Sequence, residues 1–119
     1  MVQEFHAAMG QTIGETPAIR DELLRWSLIQ EEAAETISAL AAGDLVEVAD
    51  GLCDLIYVAL GTAVACGIDL APLFDEVHAS NMAKLQGGHK REDGKWIKPP
   101  GWKPPRIAEL LKAQGWPGP

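Results

Sequence analysis

Positive charge is nearly missing from the first two thirds of this chain. Residues 1–80 carry 14 of the 17 acidic side chains and only two bases, Arg20 and Arg25, whereas residues 81–119 carry eight bases and three acids, so the stretches hold −12 and +5 of the net −7. A chain with that balance is not built to grip nucleic acid through nonspecific phosphate contacts. Cysteine is scarce as well. Cys53 and Cys66 lie in an apolar segment with no histidine at ligand spacing, which argues against zinc and favours reduced, buried thiols. His6, His78 and His89 show no ligand spacing either. No apolar run approaches the ~18 residues of a membrane span, and Met1–Gly10 contains Glu4 and His6 where a secretory leader would be apolar, so a cytoplasmic protein without a membrane partner is expected.

What is present fits one domain over residues 1–119, with a helical core at 1–86 and a basic, Pro/Trp-rich tail at 87–119. Val2, Phe5 and Met9 stand at helical spacing before Gly14 and Pro17 interrupt them. The run from Asp21 to Ala42 is rich in Leu, Ala and Glu and stops at Gly43, the pattern of a long helix. Asp44 and Glu47 form a D-x-x-E capping box that opens the most apolar helix, expected to be central and to end near Gly67. Asp69 caps a third long helix reaching about Leu85, with Pro72 tolerated in its first turn. Beyond it, Asp93-Gly94 suits a small hairpin, the Pro99-Pro100 and Pro104-Pro105 pairs exclude regular helix, and Arg106 to Gln114 is helical again. The fold class expected is all-α, a helical bundle with an irregular Pro/Gly-rich C-terminal extension.

Leu24, Leu28, Glu31 and Glu35 follow one another at steps of three and four, so an apolar stripe on the second helix turns acidic, with Glu32 one step around. The central helix repeats the pattern, with Asp50 and Asp54 at i and i+4 between apolar flanks. A single EE-x-x-E run is most often a solvated face. Two such sets on consecutive helices are harder to dismiss, because burying unpaired carboxylates costs several kcal/mol each and only two cationic side chains are near in sequence. Oxygen-only ligands without His or Cys suit Mg²⁺ or Mn²⁺ rather than zinc. Glu47 is the ambiguous member, since its place in the capping box explains it without metal.

These segments resemble the all-α NTP pyrophosphohydrolases, which include MazG, the dimeric dUTPases and phosphoribosyl-ATP pyrophosphohydrolase. The resemblance runs through EEAAE (Glu31–Glu35), EVADGLCDLIYVALGTAVACGIDL (Glu47–Leu70), EVHASNMAKL (Glu76–Leu85) and REDGKWIKPPGWKPP (Arg91–Pro105). The ordered set is most similar to the MazG-like branch of bacteria and phages. It implies the all-α NTP pyrophosphatase fold, an oligomer (homodimer or homotetramer), and Mg²⁺- or Mn²⁺-dependent hydrolysis of a nucleoside triphosphate to the monophosphate and pyrophosphate. The family's EE-x-x-E falls on Glu31, Glu32 and Glu35. Its usual E-x-x-D, aligned on the downstream Gly-Ile-Asp, puts the Asp at Asp54 but the Glu at Gly51. Asp50 then stands as the substitute, and an E-x-x-D reading of Glu47 and Asp50 stays open beside it.

On this resemblance Glu32, Glu35, Asp50 and Asp54 hold metal, with Glu31 as base or ligand to a second ion and Glu47 as a secondary ligand. Asn81 and Lys84 resemble the family's phosphate contacts; Lys95, Lys98 and Arg91 are candidates to close on the β and γ phosphates, although basic tail residues also serve solubility. Gln11, Ile13 and Trp26 are candidates for the base. Similarity to MazZ-type enzymes, which convert dGTP to dGMP, points to a guanine nucleotide, with phosphoribosyl-ATP and dUTP or dCTP as alternatives. Trp96, Trp102 and Trp116 are expected to anchor the tail. A different class stays open beside it, a non-catalytic helical adaptor whose acids are surface charge and whose Pro-rich tail is a docking segment, for which Gly51 is the best sequence argument.

Overall fold

In the computed structural model, which describes residues 1–119, the chain forms α1 (Val2–Met9), α2 (Glu22–Ala42), α3 (Leu45–Ala65), α4 (Leu70–Ala83) and α5 (Ile107–Ala113). Two short strands, β1 (His89–Lys90) and β2 (Trp96–Ile97), pair antiparallel between α4 and α5, with His89 opposite Ile97. The fold is all-α apart from that ribbon, as the periodicity and stop signals imply. Contacts divide the chain into two compact units, Met1–Ile68 and Asp69–Pro119.

In the first unit, α2 ends where Gly43 turns left-handed at φ 69°. The Asp44 N–H reaches back to the Ala39 carbonyl and the Gly43 N–H to Leu40, a Schellman closure. Asp44 then accepts the Glu47 N–H through Oδ1 and starts α3 at once. So short a link makes α2 and α3 antiparallel neighbours. Only half of the expected capping box is present, because the Asp44 N–H is spent on Ala39 and the Glu47 carboxylate is left free.

The seam between these helices is built from small and polar residues. A Cβ on Gly51 would lie 2.6 Å from Thr36 Oγ1, and one on Gly61 would lie 2.7 Å from Arg25 Nη2 and 2.8 Å from His6 Nε2. Buried Arg25 donates from Nε to Thr62 Oγ1 (3.1 Å) and from Nη2 to the Val58 carbonyl (3.1 Å), and buried His6 bonds through Nδ1 to the Thr12 carbonyl (2.9 Å). The glycines allow α1 and α2 to deliver these polar groups onto α3.

This packing corrects the sequence-based stripe. Arg25, Thr36 and Ala39 are buried, whereas Leu24, Glu31 and Glu35 are exposed and Glu32 sits half-buried at the seam. The buried face is turned by one residue because the side chains that bond to α3 outcompete the leucines. Helix α3 does pack against both α1 and α2. It also has the length and composition of a membrane span, with mean hydropathy 1.6, contrary to the expectation that no segment approaches one, yet only 22% of that window is buried. Leu45, Val46, Leu52 and Ile56 stay exposed. Cys66 is buried as expected but Cys53 is exposed, on the outer side of α3 beside Leu52 and Ile56.

In the second unit, Asp69 caps α4 by accepting the Ala71 N–H. The tail returns along α4 through a series of anchors. Trp96 Nε1 donates to the Lys84 carbonyl, Trp102 Nε1 to the Ser80 carbonyl (2.9 Å), Arg106 to the Glu76 carboxylate (3.1 Å), and Gln114 exchanges two bonds with the Asp69 backbone (2.9 Å each). Between the anchors Pro100 and Gly101 make a turn that the Trp102 N–H closes on the Pro99 carbonyl (3.2 Å), with Gly101 at φ 80°.

Gly61→Ala should therefore destabilise the protein by about 1–3 kcal/mol, the usual cost of overpacking a tight contact. Chemical denaturation would show this as a lower midpoint, and an unchanged midpoint would mean that the His6–Arg25 approach is loose.

Candidate functional site

Helix α2 carries Glu31, Glu32 and Glu35, and the facing helix α3 carries Glu47, Asp50 and Asp54. Their meeting point is Glu32. Its Oε2 is buried and has no hydrogen-bond donor. Burial, and then the negative charges of Glu35, Asp54, Glu31 and Asp50, hold its proton affinity above the ordinary carboxyl range. The structure thus brings five of the six expected acids into electrostatic reach of one another. Glu47 is set apart: with Glu35, Ser38 and Asp44 it borders an adjoining shallow groove of about 460 Å³.

No cation within the unit relieves this repulsion. Arg25 is spent on Thr62 and Val58, and Arg20 Nη1 donates to the Thr16 carbonyl at 2.8 Å. None of the five acids takes part in an ion pair. No three of the side chains are gathered closely enough to enclose an ion as they stand. A set that can only accept, with one buried oxygen lacking any donor, fits a hard divalent cation. Gly51, where the family pattern would put a glutamate, is buried against Thr36 with no room for a side chain. A carboxylate there would break the helix contact, and the acids nearest to it in the chain on α3 are Glu47, Asp50 and Asp54.

The second unit gathers a different chemistry. Lys84 Nζ donates to Asn81 Oδ1 at 3.0 Å and lies 4.9 Å from the centre of the Trp102 ring, and Lys98 Nζ lies 4.6 Å from the same centre. Asn81, Lys84 and Lys98 therefore come together as one cluster. Arg91 and Lys95 do not join it: Arg91 is paired with Asp93 within the hairpin, which raises the Arg91 pKa and lowers that of Asp93, and the Lys95 side chain is exposed. Trp102 is the residue that the sequence reading missed, having assigned it to anchoring alone. Its only signal was its place in a lysine-flanked stretch, Lys98 to Lys103.

The base candidates are dispersed. Gln11 lines a hollow of about 630 Å³ with His6, Thr12 and Arg25, but neither Ile13 nor Trp26 reaches it. Trp26 instead forms a separate apolar hollow of about 380 Å³ with Leu23 and Glu22, and Ile13 is partly exposed.

Two helices that present acids to a shared seam within an all-α bundle define the MazG-like all-α NTP pyrophosphatases as the class. Within it, the chain belongs to the phosphoribosyl-ATP pyrophosphohydrolase family, whose model matches residues 2–81. It is accordingly a nucleotide pyrophosphohydrolase. The match includes all six acids and Asn81, whereas Lys84, Lys98 and Trp102 lie beyond it. A comparison with curated proteins finds no match.

In chelator-treated protein at neutral pH, Glu32→Gln should raise the melting temperature by a few degrees, about what 1 kcal/mol does in a domain of this size. Because folded Glu32 binds its proton more tightly than the unfolded chain, its favourable contribution is complete below about pH 4.5 and is lost as pH rises through the folded value. A thermal scan across pH should show that decline reduced in Glu32→Gln; identical profiles would contradict the repulsion.

Proposed function

We propose that the whole chain works as a divalent-metal-dependent enzyme that cleaves a nucleoside triphosphate, or a phosphoribosyl nucleotide triphosphate, between the α and β phosphates. The observation that carries this reading is the buried, donorless Glu32 Oε2 among four further carboxylates from two helices.

Glu32, Glu35, Asp50 and Asp54 would hold Mg²⁺ or Mn²⁺, with Glu47 at the margin. Such ions, when bound, neutralise phosphate charge and lower the pKa of a bound water. The protein's own share is positional. Glu31, exposed beside Glu32, accepts the proton of the attacking water. In the second unit, the Lys84 and Lys98 ammoniums donate to phosphate oxygens, and Asn81 orients Lys84 through its Oδ1. Hydrolysis at the α phosphorus leaves pyrophosphate and the monophosphate.

For the base, resemblance of the acidic motifs and tail to MazZ-type enzymes supports a guanine nucleotide, and the family match supports phosphoribosyl-ATP. A homo-oligomer is supported by the row of exposed apolar side chains on α3, Leu45, Val46, Leu52 and Ile56, which a second copy would cover. Light scattering at micromolar concentration should give a dimer or tetramer, and a monomer would refute this part.

Incubation with Mg²⁺ or Mn²⁺ and a panel of dNTPs, GTP and phosphoribosyl-ATP should release pyrophosphate with equal monophosphate product. Glu35→Gln and Asp54→Asn should lower kcat/KM by at least about 10²-fold and abolish Mn²⁺ binding in calorimetric titration. Orthophosphate release, or metal binding indifferent to both substitutions, would overturn the proposal.

A further inference from the structure

The distribution of positive charge in the second unit is selective. Arg91 is neutralised by Asp93 and Arg106 by Glu76. Lys84 and Lys98 are not: no carboxylate lies within 4.0 Å of either ammonium, although residues 69–119 contain six acids. The two are instead drawn to one aromatic ring, at 4.9 and 4.6 Å from its centre. Two like charges do not gather without compensation. The electron-rich face of an indole supplies part of it, attracting a cation without neutralising it. The ring is itself held in place, since Trp102 Nε1 donates to the carbonyl of Ser80, a buried residue on α4, at 2.9 Å. Lys84 is fixed further by Asn81 Oδ1 at 3.0 Å, which uses one of its three N–H groups and leaves two to donate.

We propose that Trp102 is a positioning residue that holds the Lys84 and Lys98 ammoniums together as a cradle for a diphosphate group. The reading rests on the proposed function only in that a diphosphate is part of the substrate and becomes the leaving product. This arrangement suits an anion with more than one charge and several acceptor oxygens: two ammoniums without a carboxylate partner share one ring, all remaining N–H groups are donors, and no acid competes. One ring joins Lys84, which caps the C-terminus of α4, to a lysine of the tail, so loss of the ring removes the link between the two charges while each lysine remains in the chain.

The test uses the full-length protein, metal-free in chelator, with inorganic pyrophosphate as the calorimetric titrant. Wild type is expected to bind it, and Trp102→Leu to weaken binding at least tenfold. Trp102→Phe, which keeps a ring face but loses the N–H bond to Ser80, should recover most of the loss. Lys98→Met should weaken binding of wild type severalfold but add little in the Trp102→Leu background, because the lysine acts there through the ring. In turnover, Trp102→Leu should raise KM about tenfold with kcat changed less than twofold, and Trp102→Phe should restore KM although it also lacks the N–H anchor to Ser80.

Folded Trp102→Leu with wild-type pyrophosphate affinity would overturn the proposal. So would equal losses from Lys98→Met in wild type and in Trp102→Leu, or, if the leucine variant does not fold, undiminished pyrophosphate affinity in Lys98→Met. Absence of pyrophosphate binding in wild type that still hydrolyses nucleotides would sink the cradle alone. Trp102-dependent pyrophosphate binding in a protein that hydrolyses no nucleotide would support the cradle and sink the proposed function instead.

Discussion

Repulsion among carboxylates at the α2–α3 seam is the constraint around which the first unit is arranged. Helices that pack this closely normally exclude ionised groups, since a buried charge without a partner is among the costliest features a fold can contain. Here Glu32 is pressed into the seam with an oxygen that no donor reaches, and four more acids add to its burden. The surrounding structure tolerates this because the link through Gly43 and Asp44 and the glycine contacts at positions 51 and 61 hold the two helices together independently of the acids.

Arg25 shows how the same unit withholds its own remedy. A guanidinium in a chain so poor in bases would be expected to pair with one of the nearby carboxylates. It is buried instead against Thr62 and the Val58 carbonyl, further along the helices. The protein uses its cation as a structural tie and keeps the acids unpaired. The second unit follows the same division of labour, with Arg106 pairing with Glu76 to pin the tail, Arg91 pairing with Asp93 within the hairpin, and Lys84 and Lys98 left unneutralised.

Element positions were legible in the sequence because their causes are local. Gly43 ends α2 through a left-handed residue, Asp44 and Asp69 cap through their own carboxylates, and Asp93-Gly94 turns the ribbon. The two acidic sets were legible for a related reason, since steps of three and four on a helix fix which side chains share a face. Which face is buried was not legible. Leu24 lost its expected place to Arg25 because a polar side chain that finds acceptors across a glycine contact can outcompete a leucine, and those acceptors lie more than 30 residues away in the chain. Cys53 was misread through the same assumption, that an apolar helix buries its whole circumference within its own chain. The role of Trp102 depends on the tail's return along α4, which no local pattern encodes.

The anchors of that returning tail have an evolutionary corollary. Trp96 and Trp102 attach to the peptide oxygens of Lys84 and Ser80, groups that every amino acid supplies. Mutational drift along the outward surface of α4 can therefore proceed without loosening either indole, while the tryptophans themselves have no such latitude. Selection should weigh on the strap and spare much of the helix beneath it, the reverse of the usual expectation that extensions vary and helices persist.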